Sequence, residues 1–409
     1  MVYNNKTDKI YDVFLCLLIC SFFITIKTFS ISIGGFTLFL DRIFLILISV
    51  LFLFKIIGNR KKMIETSNVF LCLITFYAFY VFFSSFYNGN SSNDLKRLIF
   101  YIEILLIFHI ISVSKNTKFL NRILVVLLNI SCIIGFLQMF GIDVFKSSLL
   151  YNLPKSYDQM QYINMIFYRG TLTRLTSFFT HSLAYGSILS IAIPYLVFLY
   201  KNKVINSFVF YITISMCVVN LWYTYSRIPI FMVIVYFIIL FIIQVKKGNR
   251  SYLKKVMYFI LALTIFSLIF GFFIKNIGAL MPDGSFNQDI SIEQRFKDYK
   301  QVLNEFQNKP LLGYGSGAYF QNTGQAVDNY FLTILYENGI LAVISFVIFF
   351  ISIYLFIKNK RSGQFSILFI FVQVVIYNVT FDAFAFWEFA KFYFIILALS
   401  QLDYKGKIT

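Results

Sequence analysis

The feature that most constrains this chain is the recurrence of long apolar stretches along its whole length. A helix needs about 20 consecutive, mostly apolar residues to cross the hydrocarbon core of a bilayer, and such stretches follow one another here. Of the 409 residues, 59% are hydrophobic and 13% are charged, and the mean hydropathy is +0.76. Soluble domains carry about 25% charged residues. The sequence therefore predicts an all-α fold, a polytopic transmembrane helical bundle that forms a single domain over residues 1–409.

These stretches predict about twelve membrane spans. The last two are the least regular, because Asp382, Glu388 and Lys391 interrupt the apolar sequence, and the residues after Gly363 could form two spans or one broken pair. The predicted spans are Tyr11–Phe29, Thr37–Ile57, Val69–Phe86, Leu98–Val113, Phe119–Phe140, Ser177–Tyr200, Val204–Trp222, Pro229–Val245, Val256–Ile274, Tyr330–Phe356, Phe365–Tyr377 and Phe384–Leu399.

The distribution of charge predicts the orientation of the bundle. Short cytoplasmic loops carry an excess of Lys and Arg. If the N-terminus lies in the cytoplasm, the short loops on that side contain most of the 36 basic residues and few of the 18 acidic residues. The net charge of +18 is then a signal of topology, so we expect the lipid bilayer and no nucleic acid as a partner. Both termini are predicted to be cytoplasmic.

Two connections are much longer than the others, and function concentrates in such loops. They cover residues 141–176 and 275–329, and the orientation predicts that both are extracytoplasmic. In the second, apolar residues at helical spacing predict an amphipathic, interfacial helix near 292–308. Its apolar stripe consists of Ile292, Phe296, Tyr299, Leu303 and Phe306.

A glycine-rich segment follows this helix. Pro310 ends the helix, and Gly313, Gly315 and Gly317 follow at alternate positions. Glycines at this spacing let backbone N–H groups approach an oxyanion closely. Neither a preceding strand nor a following Lys-Ser/Thr pair is present, so the segment does not match a P-loop.

Several motifs together carry a family resemblance. The segments Lys309–Gly317, Asp328–Leu332 and Glu337–Gly339 resemble the signature region of the O-antigen polymerase and O-antigen ligase family. Thr224–Arg227 resembles that family's T-x-S-R element, and Arg174–Ala184 resembles its R-x-x-G-x-F-x-x-P-N-x-x-A segment. The order and spacing of these motifs around two long loops make the resemblance more specific than any single motif.

The chain departs from the family pattern at two places. Ser177 replaces the glycine of the upstream segment, and His181-Ser182 stand where Pro-Asn is common. Ligases usually carry His-Asn in the element that reads Asp328-Asn329 here. The absence of that histidine favours a polymerase, although a carboxylate can also serve as a base.

The resemblance implies a metal-independent glycosyltransferase without a cofactor, in the inner membrane of a bacterium. Its substrate would be a polyprenyl-pyrophosphate-linked glycan, and a polymerase would join the repeat units into O-antigen or capsular polysaccharide beside a flippase and a chain-length regulator. Two alternatives remain. One is an O-antigen ligase or another lipid-linked glycosyltransferase, including those that build peptidoglycan, and the other is a flippase or transporter.

The chemistry of such a transfer suggests which residues carry it. A leaving pyrophosphate requires bidentate cationic donors, so Arg174, Arg227 and Arg295 are the candidates, together with the three glycines and Asn329. The alternative for these arginines is contact with lipid headgroups, or pairing with Asp298 or Glu337.

An attacking sugar hydroxyl requires a general base. The candidate bases are Asp328 first, then His181 and Glu337, and helix capping is the alternative role for Asp328. Glu103 lies in the middle of the fourth predicted span, with Lys96 and Arg97 at the outer end of that span. Asp41 and Arg42 lie in the second span, and we expect these charges to pair within the bundle.

Overall fold

The structure is a computed structural model that describes residues 5–24, 30–33, 36–58, 91–114, 116–142, 168–169, 172–179, 181–246, 290–324, 327–359 and 365–402. Two predicted spans, Val69–Phe86 and Val256–Ile274, lie outside the described residues, as do residues 143–167 and 275–289 of the long loops. Each of the other ten predicted spans overlaps a described helix. Because the remaining two are not described, the count of about twelve spans stays a prediction.

The described part of the chain is predominantly helical. Its α-helices are α1 (Asn5–Ile24), α2 (Leu40–Gly58), α3 (Ser91–Ser112), α4 (Thr117–Met139), α5 (Ser182–Lys201), α6 (Ser207–Tyr223), α7 (Arg227–Lys246), α8 (Ile290–Phe306), α9 (Ala318–Thr323), α10 (Tyr330–Asn359), α11 (Phe365–Thr380) and α12 (Trp387–Leu402). The predicted helix near 292–308 is therefore α8, which begins and ends two residues earlier.

Four of these helices are long and apolar enough to cross a membrane, and they are α4, α5, α7 and α10. Shorter apolar helices occupy Ile10–Phe23, Ser207–Tyr223 and Phe365–Thr380. Of the residues after Gly363, the described range 365–402 forms two helices, α11 and α12, joined by a 3-10 turn at Ala383–Ala385. The chain is thus a multi-pass membrane protein.

Besides the predicted helices, the structure contains two short antiparallel β-hairpins, which the predicted all-α class did not include. The first pairs β1 (Ser30–Ile33) with β2 (Phe36–Phe39), and the second pairs β3 (Tyr168–Arg169) with β4 (Leu172–Thr173). The span predicted from Thr37 therefore starts too early, because α2 begins at Leu40. The alternation of Ser and Ile in β1, with two glycines after it, is a hairpin signal that hydropathy alone does not reveal.

Helix α5 forms the centre of the described bundle. It packs against α6, α7, α11 and α12, and nearly all of its residues are buried. Small side chains allow this close packing. At Gly186, an added Cβ would lie only 2.9 Å from Oγ1 of Thr224, at the end of α6.

Contacts between helices define one end of the bundle, which we call the site end. Here α2, α3, α5, α7, α10 and α12 begin. Lys391 of α12 contacts Asp41 of α2, and Arg97 of α3 contacts Glu337 of α10. The start of α5 lies against the turn between α6 and α7, since the hydroxyl of Ser226 donates to the carbonyl of Ser182. Most of the predicted site residues lie at this end.

Candidate functional site

Helix α10 is broken about two and a half turns from its start. Gly339 has φ 79° and ψ −178°, which is not helical. A break inside a membrane helix leaves N–H and C=O groups that need partners from elsewhere. Tyr314 and Gly315 donate their backbone N–H groups to the carbonyls of Tyr336 and Glu337, at 3.0 and 2.7 Å. In return, the N–H of Ile340 donates to the carbonyl of Pro310 at 2.9 Å.

The glycine-rich segment and the Glu337–Gly339 motif therefore pack against each other. Both sides of this contact require glycine. A Cβ on Gly313 would lie 2.4 Å from the carbonyl carbon of Glu337, and one on Gly339 would lie 2.2 Å from the carbonyl oxygen of Leu311. The N–H groups of Gly313 and Gly315 donate within the chain, while Gly317 has φ 77° and caps the short helix α9. Their predicted contact with pyrophosphate stays a prediction.

The side chains at the break contact α3. Glu337 is 3% exposed and pairs with Arg97 at 2.6 Å, and Arg97 also donates to Oδ1 of Asn338 at 3.2 Å. The predicted pairing of Arg97 within the bundle is thus confirmed. The same contact reduces the access of substrate to the carboxylate of Glu337.

Arg295 and Asp328 form an accessible ion pair. Nε of Arg295 lies 2.9 Å from Oδ2 of Asp328, and the two side chains are 37% and 48% exposed. One turn along α8, the hydroxyl of Tyr299 donates to the backbone carbonyl of Asp328 at 3.1 Å. Helix α8 therefore holds Asp328 at two points. Pairing with Asp298 or Glu337 was the alternative for the arginines, and Arg295 pairs with Asp328.

Asn329 caps helix α10. Its Oδ1 accepts a hydrogen bond from the N–H of Leu332 at 3.2 Å, and its carbonyl accepts from the N–H of Thr333. The capping role considered for Asp328 thus belongs to its neighbour. The carboxylate of Asp328 can face Arg295 instead.

A small core holds α8 against α10. Val302 is fully buried, and the Tyr336 ring stacks on Tyr314 at 4.7 Å between centroids. The hydroxyl of Tyr336 donates to Oε2 of Glu305 at 2.7 Å. Phe296 and Leu303, from the predicted apolar stripe, are instead 62% and 49% exposed. Phe296 and Leu303 therefore face away from the protein, as an interfacial helix requires, whereas Tyr299 of the same stripe packs against this core.

A second group of predicted residues surrounds the start of α5. Nε of Arg174 donates to the carbonyl of Thr224 at 3.2 Å, and the N–H of Leu175 donates to the carbonyl of Tyr223 at 3.2 Å. These bonds fix the segment before α5 against the turn that leads to Arg227, the exposed first residue of α7. Arg174 and the turn bearing Arg227 are thus neighbours.

His181 caps the start of α5. Its Nδ1 accepts a hydrogen bond from the N–H of Leu183 at 2.9 Å. Burial, and then the nearby Arg174, lower the pKa of His181 to about 4. The neutral ring that accepts at Nδ1 carries its proton on Nε2, so at neutral pH its free nitrogen is a donor.

Ser177 shows why the family pattern has glycine at this position. Its φ is 51°, in the left-handed region that glycine adopts at no cost. Its hydroxyl donates to the carbonyl of Ser131 at 2.7 Å, and Oε1 of Gln138 accepts from its backbone N–H at 2.9 Å. These bonds offset the strain, so the serine keeps the backbone shape of a glycine.

The 3-10 turn between α11 and α12 contacts both groups. The ring of Phe386 lies 5.2 Å from that of His181, and the ring of Phe384 lies 6.0 Å from that of Tyr330, beside Asn329. The group around His181 and the group around Asn329 thus lie on opposite sides of the turn between α11 and α12. From the sequence, this region was predicted only as an interruption of the apolar sequence in the last two spans.

The structure also shows a group of charges that we call the buried charge cluster, in which Asp41, Glu103 and Lys391 are buried and Arg42 is partly exposed. Nζ of Lys391 lies 2.6 Å from Asp41 and 2.9 Å from Glu103, and Nε of Arg42 lies 2.6 Å from Glu103. The expected pairing of Glu103 is confirmed, but its partner Lys391 was not foreseen. The two carboxylates and the two cations give the cluster a formal net charge of zero. In the described ranges, no three His, Cys, Asp or Glu side chains are grouped as a metal site.

The candidate membrane spans and a match to a known family indicate a multi-pass membrane enzyme of the glycosyl-transfer type. Residues 211–347 match a family model described as O-antigen ligase, which is about a third of the chain. The matched segment contains the turn before α7, the Arg295–Asp328 pair and the break in α10. No curated protein matches the chain. The resemblance to the O-antigen ligase and polymerase-like family is confirmed over this segment, and it indicates a role in surface polysaccharide synthesis.

Proposed function

We propose that the protein polymerises polyprenyl-pyrophosphate-linked oligosaccharide repeat units into O-antigen or capsular polysaccharide. The Arg295–Asp328 pair is the observation that carries this proposal. It joins, in one accessible place, a cation suited to a leaving pyrophosphate and a carboxylate suited to an attacking hydroxyl. The site end would face the outside of the cytoplasmic membrane, as the positive residues at the opposite end favour.

The pair is weak enough to open when substrate binds. Exposed ion pairs contribute about 0–1 kcal/mol, so a phosphate can replace the carboxylate on Arg295 at small cost. The contact to Asp328 uses Nε, and the terminal nitrogens of the guanidinium are suited to bidentate contact with phosphate oxygens. Asp328, released from Arg295, would then take the proton of the acceptor hydroxyl.

The other candidates take supporting roles in this proposal. Arg174 and Arg227 would bind the pyrophosphate from the start of α5 and α7, where helix N-termini also favour anions. His181 would donate a hydrogen bond from Nε2, since its Nδ1 already accepts from Leu183. Glu337 would position the break in α10, because Arg97 already occupies its carboxylate. No metal or cofactor is assigned a part in these steps.

One observation favours the alternative of a ligase, namely the description of the matched family. Against it, the acceptor element of this chain reads Asp328-Asn329 instead of His-Asn, and its only two histidines lie elsewhere in the sequence. A flippase fits less well, because transport does not require an accessible carboxylate beside a paired arginine.

The decisive experiment is chemical. Purified full-length protein in detergent is given one lipid-linked repeat unit without ATP or added metal, and the products are separated by length. A ladder of longer glycans supports the polymerase. A product that never exceeds one transferred unit contradicts it, and transfer to a lipid A core acceptor alone would identify a ligase.

Within that assay, we predict that Arg295→Lys lowers the polymerisation rate by about tenfold to a hundredfold. Lysine keeps the charge but cannot make the bidentate contact. Lys300→Arg, an exposed change on the same helix, is the matched control. Near-normal activity of Arg295→Lys would mean that this residue serves only as an interfacial cation.

A further inference from the structure

A cleft of about 690 Å³ lies at the end of the bundle opposite the candidate site. One wall is the first part of α4, from Arg122 to Asn129, and the other is the turn between α5 and α6. This volume falls within the range of roughly 300–1,000 Å³ that small-molecule sites occupy. Neither the matched family nor the proposed chemistry assigns a role to this cleft.

Two cations stand at the mouth of the cleft. Arg122 and Lys203 are both exposed, and the residues that line the cleft include no Asp or Glu. Nε of Arg122 donates to the carbonyl of Val204 at 3.5 Å, which ties the guanidinium to the turn beside Lys203. The cleft is therefore lined by positive charge alone.

The backbone of Lys203 ends helix α5. Its φ is 57°, in the left-handed region. The N–H groups of Lys203 and Val204 donate to the carbonyls of Tyr200 and Leu199, both at 3.0 Å, which is the usual way that a helix ends. This ending fixes the position of Lys203 beside the cleft.

The wall beyond the mouth is apolar. Val125 is buried and Val126 is 57% exposed, about one helical turn from Arg122. The surface continues along α4 and α6 with exposed apolar side chains at Phe119, Ile130 and Phe208. Such a surface contacts acyl chains in a bilayer. A charged mouth joined to an apolar wall matches an amphiphile, whereas a soluble anion would need only the cations.

We propose that this cleft binds the headgroup of an anionic phospholipid. The lipid phosphate would contact Arg122 and Lys203, and the first part of its acyl chains would lie along Val125 and Val126. Basic pockets between membrane helices recognise anionic lipids in this way. The site belongs to the scaffold and does not depend on the proposed enzymatic activity.

The test is native mass spectrometry of the delipidated full-length protein in detergent. Dioleoyl phosphatidylglycerol and dioleoyl phosphatidylcholine are titrated separately. For the wild type, we expect the first phosphatidylglycerol to bind at least about tenfold more tightly than phosphatidylcholine. Arg122→Gln with Lys203→Gln should remove this preference, and the matched control, Lys118→Gln with Lys201→Gln, should keep it because those exposed lysines do not line the cleft.

Lys203→Gly separates binding from folding. Glycine adopts the observed φ without strain, so the turn should stay intact while the preference for phosphatidylglycerol decreases. Three results would overturn the proposal: an unchanged preference in the double variant, an equal loss in the control, or equal competition by inorganic phosphate at the same concentration. The last would identify a site for free phosphate instead of a lipid.

Discussion

At the scale of single residues, the candidate site depends on a few positions where only one side-chain type fits. Gly313 and Gly339 are fixed by contact between two backbones. Asp328 and Asn329, adjacent in sequence, divide pairing and capping between them. From the sequence, Gly313, Asp328 and Asn329 were candidate site residues and Gly339 was only part of a motif, and the roles of all four follow from contacts across the fold that no local pattern encodes.

The glycines allow a matched test of steric fit. Gly313 and Gly324 both have positive φ, but a Cβ on Gly324 would meet nothing within 4 Å. We expect Gly324→Ala to cost about 1 kcal/mol from the backbone alone. Gly313→Ala should cost about 1–3 kcal/mol more, because the added methyl collides with Glu337. Thermal unfolding in detergent measures both, and equal losses would contradict the close contact.

His181 predicts a dependence of stability on pH. Its pKa is about 4 in the folded protein, below the ordinary histidine value of 6.5, so protonation favours the unfolded state. The stabilisation is fully present above pH 6.5 and decreases as the pH falls towards 4. In His181→Asn, the amide oxygen can still cap α5 without titrating. The variant should lose less thermal stability than the wild type over this range, and parallel curves would refute the assignment.

At the scale of elements, the unexpected feature is the pairing of residues 310–315 with the break in α10. Hydropathy predicted α10 as one long span, and the amphipathic period predicted α8 to within two residues. Periodicity reports which face of a helix is apolar. It does not report where a partner distant in sequence interrupts a helix. The β1–β2 hairpin is a separate miss, because each of its strands is only four residues long.

The Arg97–Glu337 pair should stabilise this break. Arg97→Gln leaves the buried carboxylate of Glu337 without its main partner and should cost about 3–5 kcal/mol. Glu337→Gln leaves the guanidinium of Arg97, which is 21% exposed, and should cost less. The double variant removes both charges, so it should recover about 1–3 kcal/mol of the summed loss. Hydrogen exchange of the amides at Tyr314 and Gly315 should rise in each single variant and decrease again in the double. Strict additivity would show that the two residues act independently.

At the scale of the whole molecule, the buried charge cluster connects α2, α3 and α12. The sequence predicted paired charges within the bundle from their positions in apolar spans. The identity of the pairs could not be predicted, because Asp41 and Lys391 are 350 residues apart. Proximity of that kind depends on how the helices pack.

Removal of one member of the cluster should therefore destabilise the bundle as a whole. Lys391→Met leaves two carboxylates against a single Arg42, and we expect a loss of about 3–5 kcal/mol. Lys391→Met with Asp41→Asn restores neutrality and should recover part of it. The fraction of monodisperse protein after detergent extraction measures the effect, with Lys300→Met as an exposed control. Full stability of the single variant would exclude a structural role for the cluster.

The pairing at the α10 break also has a consequence for biosynthesis. Residues 310–315 leave the ribosome before residues 336–340, which need them as backbone partners. If the loop that contains residues 310–315 is extracytoplasmic, as the charge distribution predicts, this segment is made first and water can satisfy its hydrogen-bonding groups. The interrupted helix is made second and finds its partner already present. A circular permutant that reverses this order would ask the interrupted helix to enter the membrane with its backbone groups unpaired.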